Sequence, residues 1–157
     1  MQTNRCFVCN REPKRGDLIE IFRDGYQHWA IYVGDGYVIH VVLACGVFCF
    51  SKPRKDGKVT VKKEKLKDVA GKDKYRINNH LDDTYEPRPI DEILQDAESL
   101  VGREIPYNMA TNNCEHFVTL LRYGNPQSQQ VRDLAAAALV FGILALATIR
   151  KKKNQDQ

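Results

Sequence analysis

The chain has 157 residues, 43% of them hydrophobic and 28% charged, with a formal net charge of +4. This is enough for one domain with a real core plus an appendage, and it excludes wholesale disorder. The mild basic excess comes without zinc-finger spacing or an aromatic-and-basic RNA signature, so it argues against nucleic acid and suits an anionic membrane surface.

In chain order, residues 1–16 are polar and read as a loose arm ending at Pro13 and Gly16. The five cysteines are Cys6, Cys9, Cys45, Cys49 and Cys114. Their odd number, and a start without an apolar signal-peptide core, predict no disulfide framework and a cytosol-facing compartment. Asp17 to Arg23 reads as a buried strand, broken by Asp24-Gly25. His28 to Val33 and Tyr37 to Val42 are β-branched and aromatic, and Gly34-Asp35-Gly36 between them predicts a hairpin.

Leu43 to Phe50 is apolar and fits either a strand or a lipid-touching loop. Lys58 to Lys63 alternates as a strand does, and Lys74 to Asn78 is a further candidate. The basic stretch from Lys52 to Arg76 reads as a solvated face or as a patch for anionic headgroups. Ile90, Ile93, Leu94, Ala97 and Leu100 fall at helical spacing, with Gly102 as the stop. Asn113 to Tyr123 predicts a second helix, with Phe117, Val118, Leu120 and Leu121 as its apolar stripe and Gly124 as its end. Leu134 to Ile149 carries no charge and is followed by Arg150 and three lysines. That run is slightly short of the roughly 17–25 residues of a spanning helix, yet it offers no polar face, so a membrane helix over 131–150 is expected.

Cys114 lies at the predicted start of the second helix, where Asn112 or Asn113 can cap and the positive helix end favours a thiolate. With a three-residue hairpin loop, Val33 pairs with Tyr37 and Ala30 with His40, so His28 lies diagonal to His40 on the same face. Two histidines aimed at one spot suit a base and its orienter. Zinc on His28, His40 and Cys114 is the rival use; Cys6-x2-Cys9 is only half a zinc pattern, and no metal or cofactor is expected. Tyr107 precedes the helix and is a candidate oxyanion donor beside the Cys114 N–H. His116 reads as packing or surface, His80 as exposed, and Trp29 as core.

Three blocks carry a resemblance: Gly16 to Arg23 (GDLIEIFR), His28 to His40 (HWAIYVGDGYVIH) and Asn113 to Val118 (NCEHFV), supported by Leu121 to Gly124 and the apolar tail. Together they resemble the HRAS-like suppressor proteins, the phospholipase A/acyltransferases of the lecithin:retinol acyltransferase-like family, over roughly residues 13–150. The resemblance implies an α+β, circularly permuted papain-like domain, with an antiparallel sheet packed on helices and the nucleophile at a helix N-terminus. A C-terminal hydrophobic helix follows it. The implied organisation is a flexible arm over 1–12, a catalytic domain over 13–126, an anchoring helix over 131–150 and a basic polar tail over 151–157.

The resemblance also implies Cys114 as nucleophile, His28 as base, His40 as third member and Tyr107 at the oxyanion. The implied activity is calcium-independent phospholipase A1/A2 and acyl transfer. Phosphatidylcholine is the donor, and water, phosphatidylethanolamine or a lysophospholipid is the acceptor. A monomer is expected, facing the cytoplasm on intracellular membranes. A thiol peptidase and a non-catalytic membrane-associated interaction protein are the alternatives.

Overall fold

The computed structural model describes residues 11–43, 57–108, 113–129 and 131–133. The described residues up to Gln127 form one compact unit, and Ser128 begins a second. Among the described residues the first unit shows a six-stranded, wholly antiparallel sheet and three helices. The strands are β1 (Leu18–Arg23), β2 (Tyr26–Gly34), β3 (Tyr37–Leu43), β4 (Lys58–Lys65), β5 (Tyr75–Ile77) and β6 (Glu104–Pro106). They stand in the order β5-β1-β2-β3-β4-β6. The helices are α1 (Leu66–Ala70), α2 (Ile90–Leu100) and α3 (Cys114–Tyr123). The architecture is therefore α+β with an antiparallel sheet, as expected.

Both faces of the sheet are covered, and the alternation of side chains along each strand divides the core in two. Leu18, Trp29, Ile31, Ile39, Val41, Val59 and Val61 face Ile93 and Ala97 of α2 and Phe117, Val118 and Leu121 of α3. Ile19, Ile21, Ala30 and Val38 face the other way, onto Leu66, Val69 and Ala70 of α1. Leu120, expected in the buried stripe of α3, is 47% exposed. It lies at the edge of the apolar arc that Phe117, Val118 and Leu121 complete without it.

The β2–β3 connection departs from the expected loop. Gly34, not Val33, pairs with Tyr37, and the register shifts between Tyr32 and Gly34. The loop thus holds only Asp35 and Gly36, both left-handed at φ 53° and 81°, the pattern of a two-residue turn matched to strand twist. The extra residue is taken up as a bulge at positive-φ Gly34. Because the bulge restores the parity, Ile31 still lies opposite Ile39. Two short elements escape the periodicity reading. α1 is five residues long, and β6 is three residues ending in Pro106 at the sheet edge, a position that tolerates a missing N–H.

Arg122 holds the helices to the sheet. Its guanidinium donates to both oxygens of Asp82, at 3.0 and 2.8 Å, and to the carbonyl of Gly16 at 2.8 Å. The hydroxyl of Tyr123 donates to the same Asp82 at 2.7 Å. Burial and then this bond push the phenol up to about 12. Nearby, Asp17 accepts from Arg11, from the Lys14 N–H and from Asn79. Burial favours its neutral form, but these donors outweigh it and hold its carboxyl below the ordinary range. Arg11 and Lys14, in the last part of the stretch read as a loose arm, are thus tied to the domain.

In the second unit, Ser128 Oγ accepts from the Val131 N–H at 3.3 Å and starts a helical turn. No helix among the described residues is long and apolar enough to cross a membrane. The expected apolar run, 134–149, lies outside those residues, as do Cys6, Cys9, Cys45 and Cys49.

Arg122→Ala removes the buried guanidinium that joins Asp82 to the Gly16 carbonyl, and with it a tie between α3 and the entry to β1. We expect a loss of about 2–4 kcal/mol in urea unfolding, against a smaller loss for Asp82→Asn, whose amide oxygen still accepts from Arg122 and Tyr123. Equal, negligible losses in both variants would contradict this role.

Candidate active site

Cys114 opens α3. Asn113 caps it through its side-chain oxygen, which accepts from the N–H groups of Glu115 and His116, each at 3.0 Å. His116 closes the capping box in return, its Nδ1 accepting from the Asn113 N–H at 3.2 Å. His116, expected as packing or surface, is therefore a partly buried capping residue. This cap fixes the first turn and with it the direction of the Cys114 side chain. The Cys114 thiol is buried, with Sγ 3.8 Å from the carbonyl oxygen of Gln27. That carbonyl belongs to the peptide that joins Gln27 to His28.

His28 lies on β2 directly opposite Ile21 of β1. Continued by one residue, the β2–β3 register puts Ala30 opposite His40, so the two histidines are diagonal neighbours on the α1 face. The rings meet edge to face, with centroids 5.1 Å apart, and His28 Nε2 lies 2.8 Å from His40 Nδ1. The expected pairing of the two histidines is found. The pair occupies Nε2 of His28 and leaves Nδ1 as that ring's other nitrogen. Beyond it, His40 Nε2 lies 2.7 Å from Glu64 Oε2 on β4. A cleft of about 470 Å³ borders both rings and is also lined by Arg23, Tyr26 and the Val69 to Asp73 segment, whose Val69 carbonyl accepts from Arg23 at 2.6 Å.

Both histidines are buried, 4% and 5% exposed. Burial, then His40 and Arg23, push His28 down to about 3. Burial also lowers His40, against the pull of Glu64, which favours its charged form.

The structure places Tyr107 just after β6, half-buried against the α3-side core, with its N–H donating to the Gly57 carbonyl at 2.7 Å. Two features were not legible in the sequence. Glu64 is the sole acid of a basic strand, and only the β3–β4 register, with Val38 opposite Glu64 and His40 opposite Lys62, aims it at His40. His80, expected to be exposed, is instead packed against Trp29, with ring centroids 4.9 Å apart. Its Nε2 lies 3.2 Å from Oε1 of Glu115, which is wholly buried behind Cys114 in the chain. The polar residues around His80 gave no sign of this, because the ring is covered by a helix remote in sequence. No cluster of metal-binding side chains occurs among the described residues.

Both site histidines stay neutral in the folded chain at pH values where an unfolded histidine, at about 6.5, takes up a proton. Acidification from about pH 7 to about pH 5 therefore favours the unfolded state, by at most ~1.4 kcal/mol per pH unit for each ring. Carboxylates held low, such as Asp17, add their losses only below about pH 4. Urea midpoints should fall over the upper window, and a His28→Asn, His40→Asn double variant should flatten that fall. Parallel slopes in the two proteins would count against a neutral buried pair.

Known proteins are similar to this chain over most of its length. Residues 11–127 match the family model described as lecithin retinol acyltransferase. The chain is 55% identical over 155 residues to human phospholipase A and acyltransferase 3, covering 93% of this chain and 95% of that protein. It is 49% identical over 158 residues to human phospholipase A and acyltransferase 1, covering 93% and 94%. A more distant human relative, phospholipase A and acyltransferase 4, is 46% identical over 149 residues, covering 88% of each chain. A match over nearly all of the sheet-and-helix unit, with relatives of this identity and span, is decisive: the chain belongs to the lecithin retinol acyltransferase family.

Proposed function

We propose that this chain is a thiol phospholipase A1/A2 and acyltransferase that carries an acyl group on Cys114. The observation that carries the reading is the approach of a buried, helix-start thiol to the peptide of His28, whose ring is bonded through Nε2 to His40. The relatives named phospholipase A and acyltransferase, matched over almost their whole lengths, support the substrate class.

In this mechanism Nδ1 of His28 takes the proton from Sγ, and the sulfur attacks the ester carbonyl carbon of phosphatidylcholine. The Tyr107 hydroxyl and the Cys114 N–H are the donors assigned to the oxyanion. The tetrahedral intermediate expels the glycerol oxygen, which takes the proton from His28 and leaves as the lysophospholipid. An acceptor then attacks the thioester, gives its proton to His28, and releases the sulfur. Water as acceptor gives hydrolysis, the amine of phosphatidylethanolamine gives N-acylation, and a lysophospholipid hydroxyl gives O-acylation. The reading is of a calcium-independent enzyme, with each proposed step assigned to the chain's own groups.

The order of the elements, with β2 and β3 ahead of α3, supports reading the domain as a circularly permuted papain-like fold over 13–126. The proposal extends to a flexible arm over 1–12, a C-terminal anchoring helix over 131–150 and a basic tail over 151–157. The domain would work as a monomer at the cytoplasmic side of intracellular membranes. A basic β4 carrying Lys58, Lys62, Lys63 and Lys65 suits an anionic lipid surface.

The test is release of lysophospholipid and fatty acid from phosphatidylcholine vesicles. Cys114→Ala should abolish turnover. His28→Asn should lower it by about 10²–10⁴-fold, the usual worth of a positioned acid–base, and His40→Asn should follow with a smaller loss. Turnover that persists in Cys114→Ala would sink the assignment, and cleavage of peptides with phosphatidylcholine untouched would replace it with a peptidase.

A further inference from the structure

The His28–His40 pair does not end at His40. We infer that Glu64 is a positioning residue that sets which nitrogen carries the proton in both rings, and so makes Nδ1 of His28 the base. This rests on the acyl-transfer reading above for its consequence, though not for its geometry.

The three side chains lie on one face of three adjacent strands. Val38 pairs with Glu64 and His40 with Lys62, so Glu64 is one diagonal step from His40. His28 is one diagonal step away on the other side, toward the opposite end of β3. The contacts run His28 Nε2 to His40 Nδ1 at 2.8 Å, then His40 Nε2 to Glu64 Oε2 at 2.7 Å. Diagonal neighbours are within reach for aromatic and long side chains, and here both steps close to hydrogen-bond distance.

An ionised carboxylate only accepts. His40 Nε2 must therefore carry a proton, and a neutral His40 then has its lone pair at Nδ1. At 2.8 Å from that lone pair, His28 Nε2 must be the donor. A neutral His28 with its proton on Nε2 has its free lone pair on Nδ1. One carboxylate thus fixes two tautomers in series and leaves one basic nitrogen, which is the logic by which an acid behind a histidine holds it in its working form. Without Glu64, His40 is free to carry its proton on Nδ1 and donate to His28 Nε2. His28 then holds its own proton on Nδ1 and has no lone pair to offer the thiol.

The ordinary role for Glu64 would be an ion pair within its own strand. β4 carries four lysines, and Lys63 pairs instead with Glu98 of α2 at 2.5 Å. Glu64 turns inward to the ring, although its side chain is 45% exposed and His40 only 6%. The other charged groups around His40, Arg23 and Lys62, oppose a proton there. Glu64 is the group that favours one.

The experiment uses the whole chain in phosphatidylcholine-containing membranes, wild type and Glu64→Gln. Long-range ¹⁵N–¹H spectra of the histidine rings near pH 7.5 read the tautomers, and single-turnover acylation of Cys114 reads the consequence. The wild type should show both rings protonated at Nε2. Glu64→Gln should mix or reverse the His40 tautomer, shift His28 toward protonation at Nδ1, and slow acylation at least tenfold with unchanged thermal midpoint. Glu64→Asp, which keeps the carboxylate, should recover part of the rate.

Unchanged tautomers in Glu64→Gln, or a wild-type His40 protonated at Nδ1, would overturn the inference. A rate in Glu64→Gln equal to wild type would overturn it as well. Absence of acylation in the wild type itself, with both rings protonated at Nε2, would instead sink the acyl-transfer reading and leave the tautomer assignment supported.

Discussion

The site depends on the register between β2 and β3. A slip of one residue would send His28 and His40 to opposite faces of the sheet and leave two buried imidazoles without each other. A two-residue turn at Asp35-Gly36 sets that register, and the bulge at Gly34 absorbs the odd residue. Once the rings share a face, burial decides their charge. Desolvation keeps both neutral, and two neutral rings can share a hydrogen bond that two imidazolium ions could not.

The rest of the fold serves that pair from two sides. α1 covers the face that bears the histidines, through Val69 and Ala70. α3 approaches from the other side of the sheet and brings Cys114 to the Gln27–His28 peptide. The capping box of Asn113 and His116 fixes the start of α3, and Arg122 and Tyr123 on Asp82 fix its far end. The thiol is thus held by a helix clamped at both ends, not by a loop.

Much of this was legible in the sequence. The strands β1 to β5 and the helices α2 and α3 follow from alternation, helical spacing and glycine stops. The shared face of His28 and His40 follows from parity, although the loop length assumed for it was wrong. An assumed three-residue loop and the actual two-residue turn with a bulge give the same pairing deeper in the strands. What stayed hidden depends on contacts between distant segments. Glu64 looks like one acid in a basic strand until β4 is set beside β3. His80 looks exposed until Trp29 and Glu115 close over it. α1 and β6 are too short to show a period, and Pro106 argues against a strand except at an edge.

The proposed chemistry stands or falls on a covalent acyl group on Cys114. Intact-mass spectrometry of the whole chain after mixing with phosphatidylcholine vesicles, with Cys114→Ser alongside, tests it most directly. The wild type should gain the mass of one acyl chain, removed by hydroxylamine and absent from the variant. An unmodified wild type under conditions where it binds the vesicles and consumes the lipid, or the same adduct on Cys114→Ser, would contradict it.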